Sequence, residues 1–481
     1  MRRPGSRSRS SRCATRSRAC TTPSPRPAWA AARFRCPRAK ASPTCAWPRW
    51  FIARRSAEPP PHGPPASRSA PMPYAPKALL SWLIVCLLPC APAAAAPASA
   101  PATEAPGADA PAVVHFVDGA RDSGWLGFEF FRDQRIFLPA RVNGRDTVLL
   151  LDSGAEMSVL DSAFAASLGL AGTRDVVAKG TGGTQEASFL PAVDVELGSL
   201  RLQGIAAAAI DLSDVSAAIG HPLPLVLGNE VFRQTTIEID FQGRRIRFLD
   251  ADGFQAPEGF RSLAVLDGPS GIRRVEAHLE GEGPLPFDFD LGNGSPLLLS
   301  AGHWQQDGWL RGRRVAGAFG GAIGGMREQQ VTRVRSLELA GFELRDLPAT
   351  LVPPEVSALE PEPAAGNLGL PVFTRFRLVV DYPRDRLLLA PAEGMRAPFA
   401  HDRSGLFTRR EGGVLEVVYV VPGSPAAQAG WRAGERIVAI DGTPVAELAD
   451  AGAWRLGEPG RTVSLATDDG RLRQLVLADY F

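Results

Sequence analysis

The chain has 481 residues with 45% hydrophobic and 22% charged residues, a composition that fits globular protein and about three domains at ~150 residues each. Its net charge of +2 hides a split: residues 1–71 hold 16 Lys+Arg against the single acid Glu58, which leaves 2 − 15 = −13 for the rest. That acidic remainder argues against nucleic-acid binding. All six cysteines (Cys13, Cys20, Cys36, Cys45, Cys86, Cys90) precede residue 91, so disulfides, zinc–thiolate sites and cysteine nucleophiles are excluded beyond it.

Residues 1–71 are rich in Arg, Ser, Pro and Ala without a sustained apolar period, and cannot bury enough surface to offset their conformational entropy. They read as a basic disordered extension outside the working protein, with a basic arm as the alternative. A second start at Met72 is followed by Lys77, an apolar run from Ala78 to Leu88 and the small residues Ala93-Ala94-Ala95-Ala96. This is the pattern of a signal peptide over 72–96, its apolar run shorter than the ~20 residues of a membrane span. Export to the periplasm or medium is expected, with no membrane contact after signal removal; an uncleaved signal acting as anchor is the alternative. Residues 97–125 read as an Ala/Pro-rich linker.

Strands follow. A strand over 136–142 meets Asn143-Gly144, a strong hairpin signal, and returns through Val148-Leu149-Leu150-Leu151 into Asp152-Ser153-Gly154-Ala155. Residues 158–168 read as a short helix ended by Gly169. Gly180-Thr181-Gly182-Gly183-Thr184 is a glycine-rich turn between strand-like segments, and Leu225-Val226-Leu227-Gly228 is an apolar strand ahead of Val231-Phe232 and the hairpin 236–248.

The pattern then recurs. Leu227-Gly228, Val231-Phe232 and Asp240-Phe241 match Leu368-Gly369, Val372-Phe373 and Asp381-Tyr382, each displaced by 141 residues. Upstream of the second copy, Phe289-Asp290-Leu291-Gly292 stands where the Asp152 loop stands in the first: Asp290 precedes Gly369 by 79 residues and Asp152 precedes Gly228 by 76. A second glycine-rich turn, Phe319-Gly320-Gly321-Ala322-Ile323-Gly324-Gly325, falls between. Two similar lobes that each offer one acid can pair them. Two carboxylates in one site hold a proton between them, so one can act as base and the other as acid.

The apolar strand, the Asp-Ser-Gly-Ala loop, the apolar-apolar-Gly strand and the repeat together resemble retropepsin-like and pepsin-like aspartic peptidases. The resemblance implies a mainly all-β chain with two acid-protease-like lobes, over 126–253 and 254–396. It also implies Asp152 and Asp290 as catalytic acids, Ser153, Gly154 and Gly292 as loop support, and hairpin flaps at Gly182, Gly183, Gly320 and Gly321 closing over a peptide substrate. An ordinary hairpin is the alternative for the first of these turns. No metal or cofactor is implied, and one chain suffices, so a monomer is expected. Leu291 departs from the pattern: the family carries Thr or Ser there, whose hydroxyl crosses the lobe interface, and here Ser153 alone could do so. A catalytically inactive, protease-like peptide-binding protein is therefore the alternative function.

Residues 400–481 resemble a PDZ domain through Gly405-Leu406-Phe407, the strand 414–421, Pro422-Gly423-Ser424-Pro425 and Ile437-Val438-Ala439-Ile440-Asp441-Gly442. The resemblance implies that backbone N–H groups of Gly405, Leu406 and Phe407 hold the C-terminal peptide of a partner by strand addition. The alternative is a PDZ that packs on the lobes without a peptide. Secreted bacterial aspartyl protease–PDZ proteins share this domain order.

Overall fold

A computed structural model describes residues 113–268, 271–359 and 362–481 of the protein. The extension 1–71, the signal 72–96 and most of the linker lie outside them. The end of the expected linker is ordered structure instead: Val113–Phe116 is a strand antiparallel to Leu200–Ile210, and Asp122 bridges to Leu249. Its reason is pairing at a sheet edge, which a composition biased by Ala and Pro upstream does not reveal.

Arg135–Val142 and Arg145–Leu151 form the expected hairpin, with Asn143 at φ 46° and Gly144 at φ 78°, the left-handed pair its two-residue turn requires. Leu149, Leu150 and Leu151 are all buried, because the strand is covered on both faces. Leu225–Leu227 runs parallel to it and antiparallel to Ser158–Asp161. The helix expected over 158–168 is therefore shorter: Ser158–Asp161 is a strand parallel to Leu200–Ile210, and the helix is Ser162–Ser167, its start capped by the Asp161 carboxylate accepting from Phe164 N at 2.9 Å.

The second lobe repeats this wiring. Arg273–Leu279 and Glu282–Asp290 form the hairpin, Gly366–Gly369 runs parallel to the latter, and Leu297–Leu299 lies antiparallel beside Gly366–Gly369. The closing hairpins Thr235–Asp240/Arg245–Asp250 and Phe376–Asp381/Arg386–Pro391 pair edge to edge, Ile237 opposite Val380 and Ile239 opposite Leu378. One apolar core, including Leu151, Leu227, Phe289 and Leu368, runs through both lobes. The two lobes are thus joined through the sheet of their closing hairpins and through a shared core.

The third sheet joins Leu406–Glu411, Val414–Val420, Arg436–Ile440, Thr462–Thr467 and Leu472–Val476 over its own core of Leu406, Val417, Trp431, Ile437 and Leu465. It docks on the lobes. Arg132 pairs with Asp450 at 2.6 Å, Phe319 stacks on Tyr419 with ring centroids 5.8 Å apart, and Arg333 Nε donates to the main-chain oxygen of Phe481 at 3.1 Å. Among the described residues the chain is mostly β, and the helices are short connectors.

Candidate active site

Each acid stands where a buried strand ends. The Asp152 N–H donates to the Leu227 carbonyl at 3.0 Å, and Glu282–Asp290 pairs through Asp290 with Gly369. The carboxylates accept N–H groups from their own loops: Gly154 N to Asp152 Oδ1 at 2.8 Å, and Gly292 N and Asn293 N to Asp290 Oδ1 at 2.8 and 2.9 Å.

The loops face each other. A Cβ on Gly154 would lie 2.4 Å from Asp290 Cγ, and one on Gly292 would lie 2.1 Å from Asp152 Cγ. Only glycine at both positions leaves room for the opposite carboxyl, and the two carboxyls lie within hydrogen-bond reach of one another. Burial, then the negative charge of Asp290, pushes Asp152 well above the ordinary carboxylate range.

Ser153 ties the loops together. Its hydroxyl donates to the Phe289 carbonyl at 3.1 Å and accepts from Leu291 N at 2.9 Å, both across the lobes, and Ser153 is fully buried. Leu291, also fully buried, contributes packing in place of a reciprocal hydroxyl.

Two hairpins roof the site. Arg174–Gly180/Gly183–Leu197 and Ala316–Ala322/Gly325–Leu339 meet tip to tip: Gly182 N donates to the Ile323 carbonyl at 3.1 Å, and Arg327 bonds the Gly182 carbonyl. The contact needs glycine, since a Cβ on Gly182 would lie 2.1 Å from Gly325 O and one on Gly324 2.3 Å from Gly183. Gly183 sits at the first tip, and Gly320 and Gly321 lie in the strand leading to the second. Beneath them is a cavity of about 620 Å³ lined by Asp152, Thr181, Val226, Phe319 and Ile323, reaching Phe407 and Arg409 of the third sheet.

Two residues of the site were missed by sequence reasoning. Arg135 lines the same cavity; burial lowers it to about 10, with Asp152 and Asp290 opposing that change, so it stays cationic at neutral pH. Asn367 donates from Nδ2 to Asp290 Oδ2 at 2.7 Å. The repeat displacement of 141 sets it against Val226, and a polar residue facing an apolar one was a readable signal.

The expected carboxylate loop of the third sheet differs from the expectation. Gly405 N donates to Asp402 Oδ2 at 2.7 Å and Leu406 N to Ser404 Oγ at 3.0 Å, while the Tyr480 hydroxyl also donates to Asp402 Oδ2 at 2.8 Å. An aspartate three residues upstream closes a side-chain turn over the loop, so two of its three N–H groups are already satisfied. Phe407 continues into an edge strand that packs near the helix Ser213–Ile219 of the first lobe.

Residues 138–231 match the family described as aspartyl protease, and residues 416–467 match the PDZ domain. The chain carries an aspartyl protease domain followed by a PDZ domain. None of the curated proteins compared matches it. Among solved structures, the crystal structure of Basic 7S globulin from soybean is similar at a TM-score of 0.35 and 10% identity, over 56% of this chain and 94% of that one. The aspartyl protease and PDZ domains together support a protease-like, peptide-binding function. Among the described residues, no group of three or more His, Cys, Asp or Glu side chains is placed to hold a metal ion, and no helix is long and apolar enough to cross a membrane.

Proposed function

We propose that the protein is an aspartic endopeptidase whose single chain supplies both acids. The observation that carries the proposal is the pair of carboxyls, Asp152 and Asp290, held within hydrogen-bond reach on repeated loops under two touching flaps. A peptide bound in the cavity would present its scissile carbonyl to this pair. The ionised carboxyl takes a proton from water as that water attacks the carbonyl carbon, and the neutral carboxyl gives its proton to the carbonyl oxygen. Collapse of the tetrahedral species sends a proton to the leaving amine and breaks the C–N bond. Lobes at 126–253 and 254–396, a PDZ at 400–481 that receives a peptide, a monomeric state and export through 72–96 belong to the same proposal.

The inactive, peptide-binding alternative rests on Leu291. Ser153 weakens it, because one hydroxyl makes both cross-lobe bonds and holds the loops in register. The test is cleavage of a broad peptide mixture at mildly acidic pH by wild type, Asp152→Asn and Asp290→Asn. Cleavage by wild type alone supports the peptidase; no cleavage by any of them, with peptide still bound, supports the alternative.

A further inference from the structure

The repeat makes the acid pair almost symmetric, and the departures from symmetry decide which carboxyl keeps the proton. Both acids accept N–H groups from their own loops, Asp152 from Gly154 and Asp290 from Gly292 and Asn293. Asp290 alone accepts a further donor, the Asn367 amide, on its other oxygen. At the matching position of the first lobe stands Val226, which has no donor to give.

The direction of the Asn367 amide is set by a chain of bonds. Ser295 N donates to Asn293 Oδ1 at 2.8 Å, which turns Asn293 Nδ2 towards Asn367 Oδ1, 2.8 Å away. Asn367 Oδ1 is thereby occupied as an acceptor, and its Nδ2 is left to face Asp290 Oδ2. A backbone N–H at the head of the chain cannot reverse, so neither amide can flip without breaking a bond. An N–H donor favours the ionised form of the carboxylate it meets.

We propose that Asn367 is a positioning residue that makes Asp290 the ionised base and leaves the proton on Asp152, the acid. The inference rests on the peptidase reading for its catalytic meaning, though not for the order of titration. Other groups facing the pair do not produce the bias. The Arg135 guanidinium acts on both acids and more on Asp152, so it opposes the bias, and the buried Tyr382 hydroxyl, held neutral by burial, adds no charge.

The experiment is a pH titration of the two carboxyl carbons by ¹³C NMR in the full chain, assigned with Asp152→Asn and Asp290→Asn, together with kcat and KM against pH. In wild type the lower macroscopic step belongs mainly to Asp290 and the upper to Asp152. Asn367→Val, which copies the first lobe, should raise the Asp290 step by about one pH unit and move the acidic limb of kcat with it, while KM stays within about twofold. Adding Val226→Asn to Asn367→Val should separate the steps again with the order exchanged. An Asp290 step that does not move in a folded Asn367→Val variant overturns the proposal, as does a wild type in which Asp152 titrates first. If the predicted order appears in a wild type that cleaves nothing, the proton assignment stands and the peptidase reading falls.

Discussion

The two lobes share one wiring and differ where the chemistry would occur. The first lobe brings Ser153 and Val226 to its acid; the second brings Leu291 and Asn367 to the matching places. The first lobe's polar residue therefore spans the interface, and the second lobe's polar residue serves its own carboxylate. The repeat gives two similar frames, and these two mismatches make the surroundings of the two acids unequal.

The largest effect should come from removing either acid. Asp152→Asn and Asp290→Asn should each lower cleavage by about 10³-fold or more, because general acid and base transfer both depend on the pair. Peptide cleavage at fixed enzyme concentration measures it, and a variant with more than a tenth of wild-type activity would remove that acid from the mechanism.

The flap contact is next. Gly182→Val places carbon where Gly325 O lies, and should keep the tips apart. A roughly tenfold loss in kcat/KM is expected, since water exclusion and substrate positioning suffer together. Steady-state kinetics would expose the opposite result, unchanged kcat/KM, which would deny the hairpins any closing role.

Much of this frame was legible in the sequence. Asp152 and Asp290 could be found because a buried strand must end in a run such as Leu149-Leu150-Leu151, and because matching residues recur at a fixed displacement. Asn367 escapes such a reading because matching residues reveal a repeat, whereas Asn367 stands opposite Val226 as a mismatch between the copies. The strand Ser158–Asp161 was hidden by its length: Val159 and Leu160 are too few to show a period, and pairing to Leu225–Leu227 and Leu200–Ile210 decides their conformation. The occupied N–H groups of Gly405 and Leu406 could not be read at all, since Asp402 satisfies one of them only after the loop has folded.

Ser153→Ala sharpens the contrast between the lobes. It leaves the Leu291 N–H buried without its acceptor, at a cost of about 2 kcal/mol. Chemical unfolding would read this as a lower midpoint with an unchanged slope; equal stability would show that Leu291 packing alone holds the interface.

Asp152→Asn should also change how stability depends on pH. Asp152 is raised in the folded state, so between its unfolded and folded values the folded chain holds more protons and wild-type stability falls as pH rises. Asparagine removes that loss. The variant should melt higher than wild type near pH 7 and match it near about pH 3, where the carboxyl is protonated in both states. Thermal scans at both pH values check it, and a variant less stable at pH 7 would contradict the upward shift of Asp152. The smallest effect belongs to Leu291→Thr, which restores a hydroxyl at the cost of buried apolar contact; activity within about threefold of wild type is expected, because Ser153 already makes both cross-lobe bonds.

The central claim is that one chain supplies both acids, and mixing the two inactive variants tests it most directly. Asp152→Asn and Asp290→Asn proteins, each folded and combined in equal amounts, should show no more cleavage than either alone, since every pair of acids lies within a chain and every chain lacks one. Recovery of cleavage on mixing, growing with protein concentration, would mean that acids from two chains meet in one site and would contradict the account.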